Sequence, residues 1–263
     1  MSIRRMWIEF GHVDGWAGVD FDVEAEVAGP GELTTPGPVR SGSTVTMAPM
    51  TSGSWIVIVP VKSSARAKSR MRLDPVTRRA LAVIMAQDTV SAVAAADPVE
   101  RTMVVVEDPR DGQSLAAVPG VEVFVTETDE LNAAILDGLA ALGPDAPGPV
   151  AVLPADLPSL TSGELSDALT VAARHPRAVV ADRAGTGTTL LTARSAAELR
   201  PEYGIGSFRR HVAGGAVPLD VPGRSGLRRD VDLVDGLRSV TGPRTRAVLG
   251  LLTWSPASPG LAG

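Results

Sequence analysis

The sequence predicts an α/β protein with a mostly parallel central sheet flanked by helices, and three observations carry that prediction. Short β-branched apolar runs recur along the chain, first as Trp55-Ile-Val-Ile-Val-Pro-Val61, a texture typical of strands covered on both faces. Segments with apolar residues at helical spacing alternate with these runs, as at Leu131, Ala134, Ile135, Leu139 and Leu142. Charged or glycine-rich loops follow the runs, and open α/β sheets bind their ligands just outside the carboxyl ends of their strands.

The 263 residues suit one generous domain or two small ones, and a 44% hydrophobic content is ample for a core. With 3% aromatic residues, that core must be aliphatic. Cysteine is absent, which excludes disulfides, thiolate metal sites and a cysteine nucleophile. A net charge of -5 argues against general nucleic-acid binding. No apolar run reaches the ~18 residues of a membrane helix, and Glu9 breaks the run behind Arg4 and Arg5, unlike a secretory signal. A soluble cytoplasmic protein is expected, with no membrane partner.

In order, residues 1–54 are rich in Gly, Pro, Thr and Ser and read as a disordered leader. Met47 and Met50 are candidate starts that would make the leader an over-extended gene start. The domain is expected over 55–240. Its first strand ends in Lys62-Ser-Ser-Ala-Arg-Ala-Lys-Ser-Arg70, a loop with four cations, before a helix with Pro75 in its first turn. Thr102–Val106 and Val121–Thr126 read as strands, separated by a loop carrying Glu107, Asp108 and Asp111. A helix over Glu130–Leu142 precedes a strand in Pro149–Pro158 that delivers Asp156 between two prolines. Ser162 is expected to cap a helix to about Arg174, followed by strands at Ala178–Ala181 and Leu190–Thr192, a short helix with Arg209, Arg210 and His211, and an edge strand at Val217–Val221 interrupted by Pro218. The apolar edge near Val217 leaves room for pairing into a homodimer. Asp230 and Asp232 precede a last helix, and residues 241–263 read as a loosely ordered tail.

Two clusters point to chemistry. Four cations between a buried strand and a helix concentrate positive potential where a polyphosphate would sit, or else form a solvated basic loop. Ala67-Lys68-Ser69 imitates the end of a Walker A loop, but Lys62 and Ala67 stand where that motif needs glycine. Asp230 and Asp232, two apart on an extended segment, point to one side and can share a Mg²⁺ with Asp156; the alternative is an acidic first helical turn. The loops Asp182-Arg-Ala-Gly-Thr-Gly-Thr-Thr189 and Tyr203-Gly-Ile-Gly-Ser207 lack the dinucleotide-binding pattern, yet with Thr188 and Ser207 they offer amides and hydroxyls to a small anion. His211 reads as structural or as a phosphate contact. No Gly-x-Ser-x-Gly elbow supports a serine hydrolase.

Taken in order, Val59-Pro-Val-Lys-Ser-Ser-Ala-Arg-Ala-Lys-Ser-Arg-Met71, Leu131-Asn-Ala-Ala-Ile135, Leu153-Pro-Ala-Asp-Leu-Pro158, Val180-Ala-Asp-Arg-Ala-Gly-Thr-Gly-Thr188 and Arg229-Asp-Val-Asp232 resemble the phosphoenolpyruvate/2-phospho-L-lactate guanylyltransferase family of coenzyme F-420 biosynthesis. The resemblance covers about Trp55 to Val240. It implies a Rossmann-like, GT-A-like nucleotidyltransferase fold that binds GTP through Lys62, Arg66, Lys68 and Arg70, with Asn132 near the nucleoside. Mg²⁺ would be held by Asp156 with Asp230 or Asp232. The phosphorylated acid would meet Thr188, Gly204 and Ser207, and Lys62, Lys68 and Asp156 would carry catalysis. Leu233, Val234 and Gly236 depart from the Thr, Pro and acidic residue usual in the family. The implied reaction condenses GTP with phosphoenolpyruvate to enolpyruvoyl-2-diphospho-5'-guanosine and pyrophosphate. The same transfer to 2-phospho-L-lactate is the alternative, and an inactive nucleotide-binding sensor is the alternative from another class.

Overall fold

The computed structural model describes residues 54–62, 75–143, 146–231 and 234–253. The expected leader, apart from Ser54, lies outside the described residues, as do Arg66, Lys68, Arg70 and Asp232. Seven strands form one sheet: β1 (Trp55–Val61), β2 (Val99–Val106), β3 (Val121–Val125), β4 (Val150–Val152), β5 (Arg177–Ala181), β6 (Thr188–Ala193) and β7 (Val217–Pro218), in the order β3-β2-β1-β4-β6-β5-β7. The pairs among β1 to β4 are parallel, and β7 lies parallel to β5. Strand β6 runs antiparallel to both β4 and β5, so its first residue, Thr188, stands at the carboxyl edge of its neighbours.

The helices are α1 (Pro75–Ala94), α2 (Pro109–Ala116), α3 (Leu131–Leu142), α4 (Ser162–Ala172), α5 (Ser207–Ala213), α6 (Val234–Leu237) and α7 (Pro243–Thr253). Strand alternation builds two cores. Val57, Val59, Val104, Val106 and Ala151 pack with Val90, Leu115, Leu165 and Leu169 of α1, α2 and α4 on one face. Ile56, Ile58, Met103, Val105 and Val152 pack with Ile135 and Leu139 of α3 on the other. Each side chain of β1 from Trp55 to Val59 is therefore almost fully buried, which explains the unbroken apolar run. Pro60 costs little there, because pairing of β1 with β4 ends at Ile58.

Several boundaries differ from the sequence reading. The acidic loop after β2 is in fact the start of α2: Asp108 caps it by accepting from the Arg110 amide at 2.9 Å, and Pro109 fills the first turn, where a missing N–H costs nothing. The cap of α4 is Thr161 rather than Ser162, in a capping box with Glu164. Strand β7 is two residues long, not five. Part of the expected loose tail is helix α7. Its first turn is fastened to α1 by the buried Asp88, whose Oδ1 accepts from the Arg244 amide at 3.1 Å and whose Oδ2 accepts from the Thr245 amide at 2.8 Å. A carboxylate at a helix start satisfies donors that have no partner inside the helix. Among the described residues, no helix is long and apolar enough to cross a membrane.

Candidate functional site

The carboxyl edge of the sheet gathers most of the described candidate residues. Lys62 follows β1 directly and is exposed; the rest of its cationic loop lies outside the described residues. Asp156 follows β4 in a loop held by Thr89 of α1. The buried Thr89 hydroxyl accepts from the Leu157 amide at 3.1 Å and donates to the Met85 or Ala155 carbonyl, at 3.0 and 3.1 Å. Asp156 is thus gripped through the residues on either side of it and is itself half-buried.

Asp230 reaches the same region from 74 residues further along, by three fastenings of its segment. Glu164, besides closing its capping box, accepts from the Gly226 amide at 2.9 Å. The Arg228 guanidinium donates to the carbonyls of Ala181, Val221 and Asp182 at 3.0–3.1 Å. The Val231 amide then donates to the Asp156 carbonyl at 3.1 Å, which lays the two acid-bearing segments side by side. Gly226 is obligatory, because a Cβ there would run into the Ser159 carbonyl. Asp230 lines a hollow with Ser159, Arg183, Arg229 and Val231. Among the described residues, no group of three or more His, Cys, Asp or Glu gathers as a metal cage. The paired acidic segments still fit Mg²⁺, a hard cation that keeps water and substrate phosphates and needs only one or two protein carboxylates.

The remaining candidates form a second cluster. Thr188 opens β6, and Ser207 opens α5 with its hydroxyl 3.2 Å from that of Thr188. Both are buried. Gly204, at φ +128°, and Gly206, at φ +74°, bend the intervening loop through backbone regions that side chains resist. Arg210 braces the bend by donating to the carbonyls of Ile205 at 2.6 Å and Glu202 at 2.8 Å. Asn132 at the start of α3 clamps the loop's entry: its Oδ1 accepts from the Tyr203 amide at 2.8 Å and its Nδ2 donates to the Tyr203 carbonyl at 3.1 Å. Asn132, expected near the nucleoside, is also tied to the segment that carries Gly204. The buried Tyr203 hydroxyl donates to the Val152 carbonyl at 3.1 Å, and burial pushes its pKa well up.

His211, read from the sequence as structural or as a phosphate contact, is buried within this cluster. Its ring lies 2.9 Å from the Thr188 hydroxyl and accepts from the Glu202 amide at 2.9 Å. Burial, aided by Arg210 and Arg177, lowers its pKa to about 4, so it is neutral at physiological pH. The signal was present in the sequence: Ser207 and His211 stand four apart, on one face of a helix.

The chain is similar to known proteins in sequence and in fold. The sequence model of the family described as guanylyl transferase CofC like matches residues 55–216. A phosphoenolpyruvate guanylyltransferase from Streptomyces coelicolor is 44% identical over 199 residues, covering 73% of this chain and 94% of that protein. Proteins of the same name from Sanguibacter keddieii and Nocardia farcinica are 40% and 39% identical, covering 72% and 74% of this chain and 82% and 90% of their own. Among solved structures, a 4-diphosphocytidyl-2C-methyl-D-erythritol synthase from Anaerococcus prevotii superposes with a TM-score of 0.51 at 10% identity, over 76% of this chain and 97% of its own. A nucleotidyl transferase from Methanothermobacter gives 0.50 at 18% identity, over 74% and 99%. These two likenesses concern the fold alone. The residues matched by the family model run from β1 through Ala216 and include Lys62, Asn132, Asp156, Thr188, Gly204 and Ser207, and this chain belongs to the guanylyl transferase CofC like family.

Proposed function

We propose that this protein transfers the guanylyl group of GTP to phosphoenolpyruvate in the cytoplasm, giving enolpyruvoyl-2-diphospho-5'-guanosine and pyrophosphate for coenzyme F-420 biosynthesis. The observation that carries this reading is the pairing of Thr188 with Ser207 on the Gly204 loop, at the same sheet edge as Asp156 and Lys62. Relatives named for this reaction support it. The acceptor phosphate, with a second pKa of about 6, is already an anionic nucleophile at neutral pH. One of its oxygens forms a bond to the α-phosphorus of GTP, the bond to the bridging oxygen breaks, and pyrophosphate takes that electron pair. No general base is required, which fits a cluster whose one histidine is buried and neutral. Lys62, with Arg66, Lys68 and Arg70, would hold the triphosphate by charge. Thr188, Gly204 and Ser207 would orient the acid. Asp156, with Asp230 or Asp232, would hold Mg²⁺, which when bound offsets the charge of the phosphates. Should two copies pair, the edge strand β7 is where they would meet.

The direct experiment incubates the protein with Mg²⁺, GTP and either phosphoenolpyruvate or 2-phospho-L-lactate and measures pyrophosphate. Release is expected with GTP and phosphoenolpyruvate. Preference for 2-phospho-L-lactate would reassign the acceptor, and no release with either, or equal release with every nucleotide, would overturn the reading. Asp156→Asn is expected to lose most turnover while remaining folded.

A further inference from the structure

Buried hydroxyls have no orientation of their own; the donors and acceptors around them decide which way each proton points. Around Thr188 that decision can be followed atom by atom. The Glu202 amide can only donate, so the His211 Nε2 that meets it at 2.9 Å carries no proton. The neutral ring therefore keeps its proton on Nδ1, which lies 2.9 Å from the Thr188 hydroxyl oxygen and donates to it. The Ser207 hydroxyl is 3.2 Å from the same oxygen. His211, Thr188 and Ser207 together bring three protons, and their two mutual contacts use two. One hydroxyl proton remains, with the imidazole occupying a lone pair that Thr188 would otherwise turn outward.

We infer that His211 is a positioning residue for the acceptor: through Nδ1 it makes the Thr188–Ser207 pair a fixed donor to an anionic oxygen of the phosphorylated acid. This rests on the proposed acceptor site. The imidazole also polarises the hydroxyl it donates to, because linked hydrogen bonds strengthen one another. The reverse tautomer is shut out by the Glu202 amide, so the arrangement is one-way. His211 itself is buried and touches no substrate.

The test compares His211→Gln, His211→Asn and Thr188→Val with the parent protein, using GTP and phosphoenolpyruvate as substrates and thermal unfolding as a check on folding. A glutamine places its amide near the Nε2 position and keeps the Glu202 contact, whereas an asparagine places a donor near the Nδ1 position. His211→Gln should raise the acceptor KM about tenfold and leave the GTP KM within about twofold. His211→Asn should recover most of the acceptor KM. In a Thr188→Val background, His211→Gln should have no further effect on it, as expected for a residue acting through that hydroxyl. An unchanged acceptor KM in His211→Gln, equal rises for both substrates, or the same defect in the Asn variant overturns the inference while the guanylyltransferase reading stands. Failure of the parent protein to release pyrophosphate overturns both.

Discussion

Replacing Asn132 by aspartate exchanges one atom for another of nearly the same size and removes one hydrogen bond. In the native clamp, Oδ1 accepts from the Tyr203 amide at 2.8 Å and Nδ2 donates to the Tyr203 carbonyl at 3.1 Å. The introduced carboxylate keeps the first contact and sets an anionic oxygen against the carbonyl in the second. Losing the donated bond costs about 1 kcal/mol, and leaving a half-buried carbonyl facing a charge adds a comparable amount, so Asn132→Asp should destabilise by about 2 kcal/mol. Urea unfolding at neutral pH measures this directly. The acceptor KM should rise too, because Tyr203 leads straight into Gly204. Acidification should narrow the gap to the parent protein, since a protonated carboxyl donates to the carbonyl again. A variant within about 0.5 kcal/mol of the parent, with an unchanged acceptor KM, would refute the clamp.

Three further outcomes are expected. Thr89→Val preserves shape but strands the Leu157 amide, and should cost about 1–3 kcal/mol in thermal unfolding while lowering turnover through the misplaced Asp156 loop; full turnover would show that the grip on this loop does not matter. Asp88→Ala removes both contacts to the first turn of α7 and should cost about 2 kcal/mol, with hydrogen exchange accelerated first in α7; uniform acceleration would argue against local release. The His211 pKa of about 4 lies below its unfolded value near 6.5, so the unfolded chain binds that proton first. The contribution of His211 to stability should therefore fall by up to roughly 3 kcal/mol as pH drops from about 6.5 to about 4, at ~1.4 kcal/mol per unit, and flatten below. Denaturant titrations of the parent and His211→Asn should diverge only in that window.

Much of this architecture was written locally. The run from Trp55 to Val61 announces a strand buried on both faces, and the helical spacing from Leu131 to Leu142 gives α3 almost to the residue. The reversal of β6 was legible as well, though by subtraction. Only the loop 182–187 separates β5 from β6, far too short for the crossover a parallel pair needs. Helix α2 was obscured because Asp108 and Asp111 drew attention as acids, when Asp108 followed by Pro109 is a helix start. What no local pattern supplies is the meeting of Asp156 with the segment of Asp230. It depends on Thr89, Glu164 and Arg228, contributed by three distant elements, and each is an unremarked polar residue until its partner is known. The role of His211 similarly needs Glu202 and Thr188 in place before the ring has a direction.

The fastening of α7 by Asp88 also has a schedule. The partners lie 156 and 157 residues apart, so a ribosome working at ~5–20 residues per second leaves Asp88 waiting roughly 8–30 s for Arg244 and Thr245 to be made. Strands β1 to β6 and the loops they carry can assemble during that interval. The carboxylate of Asp88 stays hydrated until α7 arrives, and only then is that face of α1 closed. The carboxyl edge of the sheet can thus be built before α7 is fastened to α1.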